Sequence, residues 1–200
     1  PKEDVKALKV FVEERPDIVD YTSLCVFHCA SGSKVHTYLL VGLDNKPVQY
    51  ATYEDFRVGR KILQAARKEK VRELALLIDT LDIPSLIDGL LYQNYEFIQY
   101  KTQASPNLVK NINLITASLQ IKELNTLCYV YSSVYEGIYL ARDLTNMPSN
   151  ELTPRKFADW VQELCKGENI HVESLNKWNL EKRHMGGIVA VGKGSMNPPQ

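Results

Sequence analysis

The stretch ARDLTNMPSNELTP, Ala141 to Pro154, constrains this chain more than any other. A run reading LCYVYSSVYEGIYLARDL leads into it. Its apolar residues Leu127, Tyr131, Val134, Tyr135, Ile138 and Ala141 recur at steps of three and four, which predicts a helix with one buried side. That helix must stop before Met147-Pro148, because a residue preceding proline is pushed out of the α region, and Ser149-Asn150 adds turn chemistry. A second helix starts at Thr153-Pro154. Threonine can cap the unpaired N–H groups of a first turn, and a proline at the first helical position gives up only an N–H that had no partner anyway. Phe157, Trp160, Val161 and Leu164 provide its apolar face. The stretch therefore reads as a hinge-like connection between two structural units.

On the N-terminal side of this connection, Ser23 to Cys29 and His36 to Val41 read as two short strands separated by Ser31-Gly32-Ser33, and Asp44 to Pro47 marks a turn. From Tyr53 to Lys70 the residues Phe56, Ile62, Leu63 and Ala66 follow helical spacing. Val71 to Ile78 then ends in a continuous apolar run, the pattern of a strand buried on both faces. Pro84-Ser85 opens a further helix carrying Leu86, Ile87, Leu90, Leu91 and Tyr95, and Asn111 to Thr116 reads as the next strand. Alternation of this kind predicts an α/β fold with a largely parallel sheet, since parallel strands need crossover helices. Past the connection, a helix over Pro154 to Lys166, a strand over Ile170 to Leu175, a short helix around Trp178 to His184 and a strand over Ile188 to Val191 predict the start of a second α/β unit.

The junction residues Arg142, Leu144, Asn146, Pro148, Asn150 and Pro154 also carry a resemblance. They match the Arg-x-Leu-x-Asn-x-Pro-x-Asn-x-x-x-Pro pattern found in the leucyl (cytosol) aminopeptidase family where a linking helix enters the catalytic domain. Upstream, GLLYQNYEFIQYKT resembles the family's Gly-x-x-x-x-x-Tyr-x-Phe-x-x-Tyr-Lys segment. Downstream, MGGIVAVGKGSMNPP is similar to its Met-Gly-x-x-x-x-Val-x-x-Gly-Ser-x-x-Pro-Pro segment. The similarity runs from about Ile87 to Gln200, and residues before Thr52 match in pattern alone. The resemblance implies a macro-like N-terminal α/β domain over residues 1–122, a linking helix over 123–146, and the incomplete opening of an α/β metallopeptidase domain over 147–200. It implies an enzyme that removes N-terminal residues from peptides with two divalent ions, zinc or manganese, as a cytoplasmic homohexamer. The alternative left open is a non-catalytic assembly or ligand-binding module, and a third reading is an α/β phosphate-binding enzyme using Gly186 to Ser195.

Composition narrows the partners. The 24 basic residues balance the 24 acidic ones, so no global field favours nucleic acid or an anionic membrane. No apolar run reaches the ~20 residues that span a bilayer, and the N-terminus has no basic segment leading into an apolar core, which makes the cytosol the default compartment. Cys25, Cys29, Cys128 and Cys165 contain no Cys-x-x-Cys pair and sit in apolar patterns, as reduced, buried thiols do. A chain that starts at Pro1 without methionine and stops at Asn197-Pro198-Pro199-Gln200 reads as an excised or partial polypeptide.

Each candidate for chemistry has a plainer explanation. VGKGS, Val191 to Ser195, lacks the Gly-x-x-x-x-Gly-Lys-Ser/Thr spacing of a phosphate-binding loop and reads as a turn. By the resemblance, Lys193 is also distinct from the family's metal-binding lysine, which is expected past Gln200. Cys25, His28 and Cys29 are the one local metal-type cluster, yet on a strand positions 25 and 29 share a face that 28 does not, so core cysteines are the expectation. His36, His171 and His184 form no paired motif. The serines of Ser31-Gly32-Ser33 and Ser132-Ser133 lack a nucleophile elbow and read as surface groups. Arg57, Arg60, Lys61, Arg67, Lys68, Lys70 and Arg72 are interleaved with Glu54, Asp55, Glu69 and Glu73, the pattern of a solvated helix face. Tyr92, Tyr95, Tyr100, Tyr129, Tyr131, Tyr135 and Tyr139 suit either an interface between domains or subunits or a plain core, and the resemblance to a hexameric family favours the interface for some of them. No catalytic or metal-binding residue is assigned within 1–200, and the substrate-binding residues are unknown.

Overall fold

A computed structural model describes residues 2–31, 34–43, 51–102, 106, 108–117 and 119–200. The Asp44 to Pro47 turn lies outside these residues, as do Gly32 and Ser33. Helix α1 (Lys2–Glu13) and a 3₁₀ turn (Pro16–Val19) precede strands β1 (Leu24–Ser31) and β2 (Lys34–Val41). Helix α2 (Ala51–Lys68), β3 (Glu73–Leu77), α3 (Ile83–Gln93), β4 (Asn111–Ile115) and the long α4 (Ile121–Asn146) follow, and then α5 (Pro154–Leu164), α6 (Lys177–Lys182) and α7 (Gly186–Gly192). Two compact units result, Pro1–Tyr139 and Leu140–Gln200, and the boundary between them falls inside α4.

In the first unit, β1 and β2 form an antiparallel pair with Ser31 opposite Lys34, the only orientation a two-residue connection permits. Strands β3 and β4 pair in parallel, with Glu73 opposite Asn111 and Leu77 opposite Ile115. Parallel pairing is thus confined to β3–β4 among the described residues. Helices α2 and α3 supply most of the core: Val58, Ile62, Leu63 and Ala66 meet Leu86, Ile87 and Leu90, joined by Ile78, Val109 and Leu124. The inward residues of the strands, Leu74, Leu76, Ile112 and Leu114, pack on that cluster. Strand β3 is not buried on both faces. Its residues alternate, and Leu77 is 77% exposed because nothing described covers the outer face of the pair. The four cysteines are half-buried rather than buried: Cys25, Cys29 and Cys128 lie on β1 and α4, which each turn only one side to the core, and Cys165 is at the C-terminal end of α5.

Helix α1 was not read from the sequence. Its inner face is Asp4, Ala7, Leu8, Phe11 and Val12, a clean helical spacing in which a buried carboxylate takes a position that an apolar residue ordinarily fills. Phe11 packs on Phe27 of β1 at 4.7 Å between ring centroids, and Asp4 bonds to two residues of β2.

The second unit departs furthest from expectation. Residues 170–176 form no strand, and Ile188 to Val191 lie within helix α7 instead of a strand. A strand's N–H and C=O groups need a neighbouring strand, and among the described residues of this unit there is none; a helix satisfies them locally, as in the bond from Val189 N–H to Met185 O at 3.3 Å. Its interior is correspondingly thin. Leu180, 2% exposed, is its one buried large apolar side chain among the described residues, and α5 and α7 contribute no buried residue.

Candidate functional site

The junction folds as its residues dictate. Helix α4 ends at Asn146, and the carbonyl of Pro148 accepts from the N–H groups of both Glu151 and Leu152 at 2.9 Å, closing a tight turn. Thr153 is the N-cap of α5: its backbone is extended (φ −78°, ψ 160°), and its hydroxyl accepts the Lys156 N–H at 3.4 Å. Pro154 takes the first helical position, as expected. Replacing Thr153 by alanine should cost this unit about 1 kcal/mol, while serine should be nearly neutral. Because both tryptophans, Trp160 and Trp178, lie in this unit, its unfolding can be followed by their fluorescence in a urea titration. A Thr153→Ala midpoint equal to wild type would show the cap to be idle.

Downstream, Asn176 caps α6 through its side chain, which accepts the Asn179 N–H at 3.0 Å, and Glu173 pairs with both terminal nitrogens of Arg183. Helix α7 ends in Lys193, whose N–H reaches Ala190 O, so Val191 to Ser195 is the C-terminal end of a short helix followed by a turn rather than a phosphate cradle. Gly192 lies directly against Pro199: a Cβ there would stand 2.8 Å from two of its ring carbons. Pro154, Ile188, Val191, Ser195, Asn197 and Pro199 line an open, mostly apolar cleft within this unit. Val191 is 89% exposed and Trp178 65%, so the unit presents apolar surface on several elements.

The other singled-out residues do not converge. In β1, Cys25 and Cys29 point to one face and His28 to the other, where His28 meets Thr37 at 3.1 Å. Among the described residues no three of His, Cys, Asp or Glu are grouped so as to hold a metal ion, so the donor set on hand does not fit the two-ion centre that the resemblance implies. Ser132 and Ser133 are exposed on α4, and Ser33 lies outside the described residues. The basic residues of α2 are largely engaged within the fold. Arg57 pairs with Glu54, Arg67 with Glu96, Lys61 donates to Thr22, and the Arg60 guanidinium lies 5.0 Å from the Tyr92 ring centroid. Two of the tyrosines fasten α4 to α3 within the first unit: Tyr135 donates to Asp88 and Tyr139 to the Leu91 carbonyl.

Two buried carboxylates depart from the sequence reading: Asp55, read with Glu54 as part of a solvated helix face, is buried, and Asp4 received no reading. Asp55 accepts from the Tyr21 hydroxyl and from the Asp82 N–H at 2.9 Å. Burial first, and then the bond to Asp55, hold the Tyr21 phenol far above its ordinary value. Asp4 accepts from His36 at 2.7 Å and from Tyr38 at 2.6 Å, and those bonds, the His36 one foremost, keep its carboxyl below the ordinary carboxylate range. The signal that could have found both was a lone Asp at a core position of a helical pattern.

Comparison with known proteins bears on the second unit most directly. Residues 139–200 match the model of the cytosol aminopeptidase family's catalytic domain. The chain is 29% identical over 147 residues to a probable cytosol aminopeptidase of Roseiflexus castenholzii, covering 68% of this chain and 30% of that protein. It is 31% identical over 149 residues to the Bacillus subtilis counterpart, covering 70% and 30%, and 28% identical over 179 residues to that of Agrobacterium fabrum, covering 84% and 35%. The chain therefore spans about a third of the length of these relatives. Two solved structures share the fold. The bottromycin maturation enzyme BotP in complex with Mn superposes with a TM-score of 0.72 at 22% identity, over 94% of this chain and 40% of that one. A tomato leucine aminopeptidase mutant gives 0.76 at 16% identity, over 98% and 40%. The junction motif, the α/β fold around it and these three relatives agree: the chain belongs to the leucyl (cytosol) aminopeptidase family.

Proposed function

We propose that residues 1–200 are the N-terminal part of a metal-dependent aminopeptidase that hydrolyses the first residue from peptides. The observation that carries this reading is the match of residues 139–200 to a catalytic-domain model, entered through the capped junction at Thr153-Pro154. On this reading the first unit is a macro-like domain over 1–122, the helix over 123–146 links it onward, and 147–200 opens the catalytic domain. The stretch serves folding, assembly and shaping of the catalytic domain, in a cytoplasmic homo-oligomer of six copies. Two divalent ions, zinc or manganese, supply the polarised carbonyl and the activated water of the reaction. Their ligands and the reacting groups lie outside these residues, in motifs that the resemblance places past Gln200. No helix among the described residues is long and apolar enough to cross a membrane.

The test compares the 200-residue chain with the complete reading frame, each assayed on leucine p-nitroanilide with added Mn²⁺. Turnover is expected from the complete frame and none above buffer from the 200 residues. Clear turnover by the shorter chain would overturn the placement of the chemistry, and an inactive, folded, metal-loaded complete protein would overturn the activity itself.

A further inference from the structure

Away from the junction, one cluster of titratable and nucleophilic groups has no part in the proposed reaction. It lies where α1 crosses the outer face of the β1–β2 hairpin. His36 stands directly opposite Cys29 in the ladder, so both side chains leave the same face with Cβ atoms roughly 5 Å apart. His36 Nδ1 lies 2.7 Å from Asp4 Oδ2, and the Tyr38 hydroxyl donates to the same oxygen at 2.6 Å. An ionised carboxylate can only accept, so Nδ1 carries the proton and Nε2 is left as the basic nitrogen. Asp4 is buried, and its other oxygen, Oδ1, has no hydrogen-bond partner. A buried carboxylate oxygen without a donor is costly, and positive charge on the adjacent ring offsets that cost. Asp4 therefore fixes the orientation of the ring and lies beside any proton that Nε2 takes up. Cys29 and His36 are each only half-buried, so a small reagent can reach them.

We propose that Cys29 is a reactive thiol, activated by the Asp4–His36 pair, that forms mixed disulfides with low-molecular-weight disulfides. The thiol proton passes to His36 Nε2, and Asp4 holds the resulting imidazolium. The thiolate attacks one sulfur of the small disulfide, a new S–S bond forms as the old one breaks, and the departing thiolate takes up the proton from His36. The other cysteines lack this setting. Cys25 faces Leu40 across the ladder with its sulfur against the Val26 carbonyl, burial pushes the Cys128 thiol up, and Cys165 sits at the end of α5.

The test treats the native chain with oxidised glutathione at pH 7 and reads the adduct on each cysteine by peptide mass mapping. Cys29 is expected to react about tenfold faster than Cys165, and His36→Gln and Asp4→Asn should each slow Cys29 alone, His36→Gln by about tenfold. Repeating the reaction about one pH unit above the ordinary thiol value of ~8.5 should restore the His36→Gln rate, because solvent then removes the proton. Equal rates at Cys29 and Cys165, an unchanged Cys29 rate in either variant, a parallel change at all four cysteines, or a deficit that persists at high pH would each overturn the proposal.

Discussion

Replacing Gly89 by alanine should lower the thermal midpoint of the first unit by on the order of 10 °C, from a loss of roughly 3 kcal/mol. The expectation rests on how closely α2 and α3 approach. A Cβ on Gly89 would stand 2.1 Å from the Phe56 carbonyl oxygen, and one on Gly59 would stand 2.5 Å from the Leu86 carbonyl oxygen. Each glycine thus sits against the other helix's backbone, where no side-chain rotation can relieve a clash. Alanine is the better helix former by about 1 kcal/mol, so on propensity alone the substitution stabilises. Backbone overlap outweighs that gain: the helices must separate, and Leu63, Leu86 and Leu90, which their closeness buries, lose contact with one another. Gly137→Ala is the matched control. It lies on α4 with nothing within 4 Å of its Cβ, so it should gain about 0.5–1 kcal/mol. Circular dichroism melts of the two variants decide the matter, and a Gly89→Ala midpoint at or above wild type would refute the close-packed crossing.

That crossing shows what the sequence can and cannot yield. The apolar spacing of Ile62, Leu63 and Ala66 and of Leu86, Ile87 and Leu90 marked both helices and the faces they bury. Which residues let the two faces meet was not legible, because a glycine inside a helical pattern looks like a weak helix position until its neighbour is in view. The capped start of α5 was legible for the opposite reason: Thr153 and Pro154 act through bonds made within four residues. Strands are the intermediate case. The β1–β2 hairpin pairs with itself and matched its pattern, whereas Ile188 to Val191 and Ile170 to Leu175 carry strand-forming residues with no described strand beside them. β-Propensity expresses fit to a sheet that must already be there, so pattern alone misled.

The candidate chemistry divides along the same line. Family resemblance came from residues contiguous in sequence, Arg142 to Pro154 and Met185 to Pro199, and three relatives agree with it. The Asp4–His36 pair joins residues 32 apart and the Asp55–Tyr21 pair residues 34 apart, the first on a helix with no sequence reading and the second on a helix face read as solvated. Such pairings are set by how helices dock, so a single sequence can flag an Asp at a core position of a helical pattern but cannot name its partner.

Removing the Asp55 carboxylate should be the most damaging single polar change in the first unit. Its side chain is fully buried, and it ties three segments together: α2, which carries it, the Tyr21 hydroxyl ahead of β1, and the Asp82 N–H at the head of α3. Hydrogen bonds to a charged acceptor contribute about 1.5–3 kcal/mol each, so Asp55→Ala should cost roughly 3–4 kcal/mol, and it strands a backbone N–H besides. Tyr21→Phe removes one of these bonds and should cost about 2 kcal/mol. The two losses should be non-additive, with a coupling of at least about 1 kcal/mol in a double-mutant cycle read by urea denaturation. The alkaline limb gives an independent check. Burial and the neighbouring carboxylate raise the Tyr21 phenol above its unfolded value of 10.0, so its contribution is whole below pH 10 and is lost as pH rises toward the folded value. Wild type should therefore lose stability above pH 10 more steeply than Tyr21→Phe does. Parallel alkaline limbs, or additive losses in the cycle, would mean that Tyr21 and Asp55 stabilise the unit independently.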